Sequence, residues 1–147
     1  MSDADLHVLF SVAGSDYVLP AHEVLQMEAF EGATRVPGTP DYVIGLVQIR
    51  GRVLPVVDLR RRFNLPALDT TEDSRVVVVD KNGRSVALLV DRAREVVRIA
   101  PSAFEPPPPV VAAQASGFVK AVAKAGERLV MLVDSAKVMG EEVVDGN

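Results

Sequence analysis

The 147-residue chain contains no cysteine and no tryptophan, and it has two histidines. Without cysteine there can be no disulfide, no thiolate metal site and no thiol nucleophile. His7 and His22 stand apart with no close-spaced ligand set, so neither a metal nor any other cofactor is implied. A G-x-S-x-G elbow, a G-x-G-x-x-G fingerprint and a phosphate-binding lysine loop are all missing. The carboxylates Glu28/Glu31 and Glu141/Glu142 have the look of solvated faces, and nothing marks a catalytic centre. The chain reads as a non-enzyme.

Long apolar runs are also absent. No stretch approaches the ~20 residues that cross a bilayer, and Met1 to Asp5 carries two aspartates and no basic segment, unlike a secretory signal. A soluble, cytoplasmic protein without direct membrane insertion is expected. The formal charge is −4. A protein that binds nucleic acid generally shows a basic stripe; here Arg60, Arg61 and Arg62 form only a small cluster, read most simply as a solvated face, so no nucleic-acid partner is expected.

What is present is a β vocabulary. With 48% hydrophobic residues but 5% aromatic, the core must be built from Val, Leu, Ile and Ala. A chain of this length suits one domain, residues 1–147, able to bury roughly 68–70% of its unfolded surface. Apolar strands alternate with turn signals, and long helical periodicity is lacking. Leu6 to Val12 and Tyr17 to Leu19 flank Gly14-Ser15; Val76 to Asp80 and Ser85 to Val90 flank Asn82-Gly83; Val119 to Ala123 and Arg128 to Val133 flank Ala125-Gly126. All three predict antiparallel hairpins, Asn-Gly being the strongest such signal. Val76 to Val79 and Leu129 to Val133 are apolar on nearly every residue, the pattern of strands covered on both faces.

Four strands end in Val-Asp, at Asp58, Asp80, Asp91 and Asp134. Duplication of a small β unit would produce this, as would ordinary turn and cap chemistry. Asp134 precedes a predicted short helix, 135–139, stopped by Gly140. Leu65 to Ser74 is polar and turn-like and divides the chain near its middle. Pro101 to Ser116, with Pro106-Pro107-Pro108-Pro109, reads as an extended surface connection.

The densest pattern lies between Val36 and Phe63. Thr39 is placed to cap a helical turn with Pro40 at its first position. Tyr42 to Ile49 forms a strand, Gly51 supplies the positive φ of a tight hairpin, and Val53 to Val57 returns. Pro55 lacks a ladder donor, which predicts a sheet edge or a bulge. Asp58 then caps Leu59 to Phe63. Arg50, at the corner, presents a multi-donor fork suited to a carboxylate or carbonyl groups on a partner, or to an internal salt bridge such as one to Asp58.

Pro37, Pro40, Tyr42, Gly45, Arg50-Gly51, Pro55, Asp58, Leu59 and Arg60, in this order and spacing, resemble the CheW family of adaptors in bacterial chemosensory arrays. Looser matches extend to Val8 to Phe10, Tyr17, Leu88 to Asp91 and Leu129 to Asp134. The resemblance implies a mainly β, CheW-like fold of two small five-stranded β-barrel subdomains packed together, with short helices. The first subdomain would fall mainly in 15–70 and the second mainly in 75–134. It further implies a non-catalytic adaptor that joins the regulatory domain of a chemotaxis-type, CheA-like histidine kinase to the cytoplasmic tip of a chemoreceptor (a methyl-accepting chemotaxis protein), recruited to membrane-associated receptor arrays.

By the same resemblance, the kinase-binding positions map to Val24, Gln26, Gly45 and Arg50, and the receptor-binding positions to Arg50, Val76, Ala93 and Val96. The sequence departs from the family at Gln26, where an acidic residue is common, at Ala87 in place of a glycine, and at Gln48 in place of an asparagine. Two other readings stay open: a small-molecule-binding β-barrel, which would need an internal cavity with a few polar anchors, and an adaptor of a non-flagellar chemosensory pathway.

Overall fold

A computed structural model describes residues 3–114 and 117–140. Its ten strands are β1 (Leu6–Val12), β2 (Ser15–Pro20), β3 (Val24–Ala29), β4 (Val43–Ile49), β5 (Arg52–Asp58), β6 (Arg75–Lys81), β7 (Arg84–Val90), β8 (Arg92–Arg98), β9 (Val119–Ala125) and β10 (Arg128–Val133). Three short helices accompany them: α1 (Leu59–Arg62), α2 (Pro109–Gln114) and α3 (Ser135–Met139). The fold is mainly β, as predicted.

The strands form two five-stranded sheets, in the orders β8-β1-β2-β10-β9 and β3-β6-β7-β5-β4. These are one topology used twice. Each has a central hairpin (β1-β2 or β6-β7), a parallel neighbour on one side (β10 or β5) that itself closes a hairpin (with β9 or β4), and an antiparallel edge strand on the other (β8 or β3). The register shifts also fall in equivalent ladders. The segment after β3 joins β4 through reciprocal bonds between Thr34 and Leu46, each 2.8 Å, and the segment after β8 joins β9 through the same pair of bonds between Glu105 and Val122. These bridges link the sheet edges without closing a hydrogen-bonded barrel.

The sheets do not follow the division at Ser74. The hairpin β1-β2 leaves its own half of the chain to pair with β8 and β10, while β6-β7 pairs with β3 and β5. Neither half of the sequence therefore contains a complete sheet, and the expected subdomain limits, 15–70 and 75–134, are replaced by this exchange. The cause is the chain-distant parallel pairings, Val56↔Ala87 to Asp58↔Leu89 and Val130↔Asp16 to Leu132↔Val18, which leave no local trace.

Among the described residues, three clusters fill the interior. The largest, with Phe10, Leu19, Val57, Leu59, Val77, Leu88 and Val133, draws on both sheets and lies between them. Leu54, Val56, Val76, Val78, Ala87 and Leu89 pack on the opposite face of one sheet, and Leu9, Val18, Ala123 and Val130 on that of the other. Along β6, Val77 and Val79 enter the shared core while Val76 and Val78 enter the sheet's own. This is the double coverage its unbroken apolar run predicts, and each fully buried Val contributes roughly 1.5–3 kcal/mol. Leu129 departs from that expectation and is 65% exposed, at the outer end of its hairpin.

Several local expectations are corrected. Pro55 lies on an interior strand, but the parallel ladder to β7 covers only Val56 to Asp58, so no donor is demanded of it there. Thr39 caps no helix; its hydroxyl donates to the Val36 and Val43 carbonyls, tightening a turn closed by the Val43 N–H on the Pro40 carbonyl. The proline-rich connection contains a single 3-10 turn, Pro101–Ala103, and helix α2 beginning at Pro109, where a missing N–H costs nothing. Its last residues, Ala115 and Ser116, lie outside the described residues, as do Glu141 and Glu142.

Candidate functional site

Arg50 and Gly51 are the two loop residues of the β4–β5 hairpin, closed by the Ile49↔Arg52 pair, with φ of 52° and 81°. Both being positive, the turn has the twist a right-handed hairpin prefers. Glycine takes this conformation freely, whereas an arginine there is strained and gains nothing from packing, since its side chain is 72% exposed. Its Nε donates to Glu28 Oε2 on β3 at 3.4 Å, so the internal partner is Glu28 and not Asp58. Gln26 Nε2 donates to the same Glu28 oxygen at 2.8 Å. Gln26 and Glu28, two apart on an edge strand, share a face; Leu25 and Met27 alternate with them and are exposed.

The other predicted positions divide by burial. Val24 begins β3 and packs half-buried against the core between the sheets. Gly45 is buried on β4, and a Cβ there would lie 2.4 Å from the Thr34 carbonyl oxygen, so this glycine exists to admit the Thr34–Leu46 bridge. Val76 is 1% exposed and belongs to the sheet's own core. Gly45 and Val76 therefore shape the surface from beneath, Val76 lying in the lining of a recess with Phe30, Leu46 and Ile49. Ala93 is half-buried and Val96 is 54% exposed, both on β8, the edge of the other sheet. Fold and register thus bring Gln26, Glu28 and Arg50 together, while Ala93 and Val96 occupy a separate edge.

The Arg60-Arg61-Arg62 run is not one solvated face. Arg60 grips Asp91 with two parallel bonds, Nε–Oδ1 at 2.9 Å and Nη2–Oδ2 at 2.6 Å, and its side chain is 14% exposed. Asp91 Oδ2 also accepts the Ala13 N–H at 2.8 Å, tying the end of β7 to the β1–β2 turn of the other sheet. Burial pushes the Asp91 carboxyl up, but the Arg60 fork, the Ala13 N–H and the Arg60 charge together hold it below the ordinary carboxylate range. Arg61 is half-exposed and pairs with Asp58 at 3.5 Å. Asp58 accepts the Arg60 N–H as the α1 cap, yet burial keeps its carboxyl above its usual value. Arg62 lies 3.9 Å over the Tyr42 ring and donates to the carbonyls of Lys137 and Val138 at 2.9 Å, fastening the end of α3. A family motif ending at Arg60 marked that residue, but its role in joining the sheets depends on Asp91, 31 residues away.

Among the described residues, no three His, Asp or Glu side chains converge on a possible metal position. His7 is buried on β1 against Phe104, and His22 is exposed. Among the described residues, one surface recess lies around Arg60, Asp91 and Arg94 and another lies against one sheet's own cluster, lined by Phe30, Leu46, Ile49 and Val76.

A model of the CheW-like domain matches residues 6–143. The chain belongs to the CheW family. It is 31% identical over 135 residues to the chemotaxis protein CheW of Bacillus subtilis, covering 92% of this chain and 86% of that protein. It is 29% identical over 133 residues to the CheW of Helicobacter pylori, covering 90% and 80%. Among solved structures it is similar to the scaffolding protein TtCheW of Thermoanaerobacter tengcongensis, with a TM-score of 0.84 and 30% identity over 94% of this chain and 89% of that one.

Within the CheW family frame, the residue that sequence reasoning missed is Glu28. The sequence reads Glu28 as a solvated face, but it stands two residues along the same face from Gln26, where the family commonly has an acid, and it meets Arg50 there. Period-two patterning of β3 would have placed Glu28 beside Gln26; only the sheet brings either of them to the β4–β5 turn.

Proposed function

We propose that this CheW-family protein is a non-catalytic chemotaxis adaptor that couples the cytoplasmic tip of a chemoreceptor to the regulatory domain of a chemotaxis-type histidine kinase. The observation that carries this reading is the family match across residues 6–143, joined to a strained, exposed arginine at the hairpin where the family motif is densest. The mechanism is positional. Arg50, Gln26 and the outer side of β3 form the kinase-facing surface, with Val24 and Gly45 supporting it from below. Arg50, above Val76 in its own sheet, and Ala93 and Val96, on the edge of the other sheet, face the receptor as two separate contacts. Receptor state biases the kinase only through contacts that differ in energy between signalling states. No described helix is long and apolar enough to cross a membrane, and the protein is recruited to receptor arrays through these contacts.

The test is titration calorimetry of the purified protein against the kinase regulatory domain and against a receptor-tip fragment from the same cell. Binding to both, weakened in a folded Arg50→Glu variant, supports the reading. A folded wild type that binds neither would overturn it.

A further inference from the structure

Arg50 and Glu28 face each other across a shallow recess of about 260 Å³ completed by Ala29, Gln48 and Ile49. The guanidinium engages Glu28 through Nε alone, and the structure shows no other hydrogen-bond partner for it among the described residues. Its two terminal amino groups are thus left for something outside the protein. Glu28 is itself held: Gln26 Nε2 donates to the oxygen that Arg50 contacts, so the carboxylate is steered by a neutral neighbour that adds no competing charge. An exposed arginine on a glycine-flanked turn would otherwise sample many rotamers, and ordering it on binding would cost part of the interaction.

We infer that Glu28 is the positioning residue of Arg50, holding its guanidinium by the Nε edge so that the terminal amino groups are presented to a carboxylate of the docking partner, with Gln26 fixing Glu28 in turn. The partner side of this inference rests on the adaptor reading; the positioning itself does not. Gln26 and Glu28 then determine specificity together. A partner approaching this edge meets one fixed cation and, at Gln26, a neutral side chain, with the Oε2 of Glu28 already engaged by both.

The test uses the full chain, labelled with 15N, and reads the Arg50 Nε–H by heteronuclear relaxation in the wild type, Glu28→Gln, Glu28→Ala, and the double variant Gln26→Glu with Glu28→Gln. Thermal unfolding checks each fold. The expected result is an ordered Nε–H in the wild type that becomes mobile in both single variants, with Tm within about 2 °C of wild type, as for other surface pairs. Affinity for the kinase regulatory domain or the receptor-tip fragment should fall about fivefold in Glu28→Gln. The double variant, which returns an acid to the same face, should restore order and affinity. An Nε–H equally mobile in the wild type and in Glu28→Gln overturns the inference whether or not either fragment binds. Wild-type binding that Glu28→Gln leaves unchanged overturns it as well. If the wild type binds neither fragment while the Nε–H depends on Glu28, the adaptor reading fails and the positioning role stands.

Discussion

Arg50 occupies a turn position that Asn82 fills in the β6–β7 hairpin, where φ is 57° and Gly83 follows as Gly51 does here. Asparagine tolerates this conformation, whereas other L-residues pay roughly 1–2 kcal/mol for it. Retaining arginine where asparagine fits is a local cost that one exposed ion pair to Glu28 offsets only weakly, the pattern of a functional position. Arg50→Asn is therefore expected to hold or raise thermal stability, by up to about 1 kcal/mol, while weakening kinase or receptor binding, though less than the charge reversal in Arg50→Glu. Unfolding and calorimetry on the same samples separate the two effects, and a variant that loses stability would show the arginine to be structural. The turn itself was legible from Arg50-Gly51 because glycine signals positive φ within two residues. Glu28 was not legible as its partner, since 22 residues separate them and only the pairing of the strands sets the distance.

At the scale of elements, helices α1 and α3 follow equivalent strands and begin at equivalent caps. Asp58 accepts the Arg60 N–H, and Asp134 accepts the Lys137 N–H. Both caps could be read locally, because a carboxylate reaches the free N–H groups of the first turn in its own chain segment. What anchors α3 could not. Arg62 on α1 reaches its last carbonyls, Ser135 donates to the buried Glu23 at 2.7 Å, and Arg84 donates to the Gly140 carbonyl. A five-residue helix has too few internal bonds to persist alone, so these contacts hold it. Arg62→Ala should cost about 2 kcal/mol and speed amide exchange in 135–140 more than in β6 and β7. Equal acceleration in the strands would mean that α3 opens only with the whole fold.

For the molecule as a whole, the exchange of hairpins between sheets predicts that the chain cannot be divided at its polar midpoint. Fragments 1–74 and 75–147, prepared separately, should each lack strand signal in far-UV circular dichroism and gain it on mixing. A folded fragment would show that one half builds a sheet unaided. The Arg60–Asp91–Ala13 junction adds a pH dependence between the sheets. Because the folded Asp91 carboxyl lies below its ordinary value, its contribution is present above the ordinary carboxylate range and is lost as pH falls through the folded value. Asp58, held above its ordinary value by burial, acts with the opposite sign: its contribution is present in acid and fades as pH rises through the folded value. Asp91→Asn should thus cost about 1–2 kcal/mol at neutral pH, and the difference from wild type should vanish in strong acid, as measured by urea unfolding across pH. A constant difference would remove Asp91 ionisation from the link.

The sequence by itself determined the strand vocabulary, the positions of the hairpin turns, the caps at Asp58 and Asp134, and the family, because each rests on signals within a few neighbouring residues: a glycine's φ, a carboxylate near free N–H groups, an unbroken valine run. The same locality hid the rest. Which hairpin joins which sheet, why Gly45 must lack a side chain, and how Arg60 and Arg62 find partners 31 and 76 residues away were decided by long-range strand pairing. That pairing also turned Gln26 from a missing charge into the support of Glu28, for only the assembled sheet sets the edge strand beside the turn that carries Arg50.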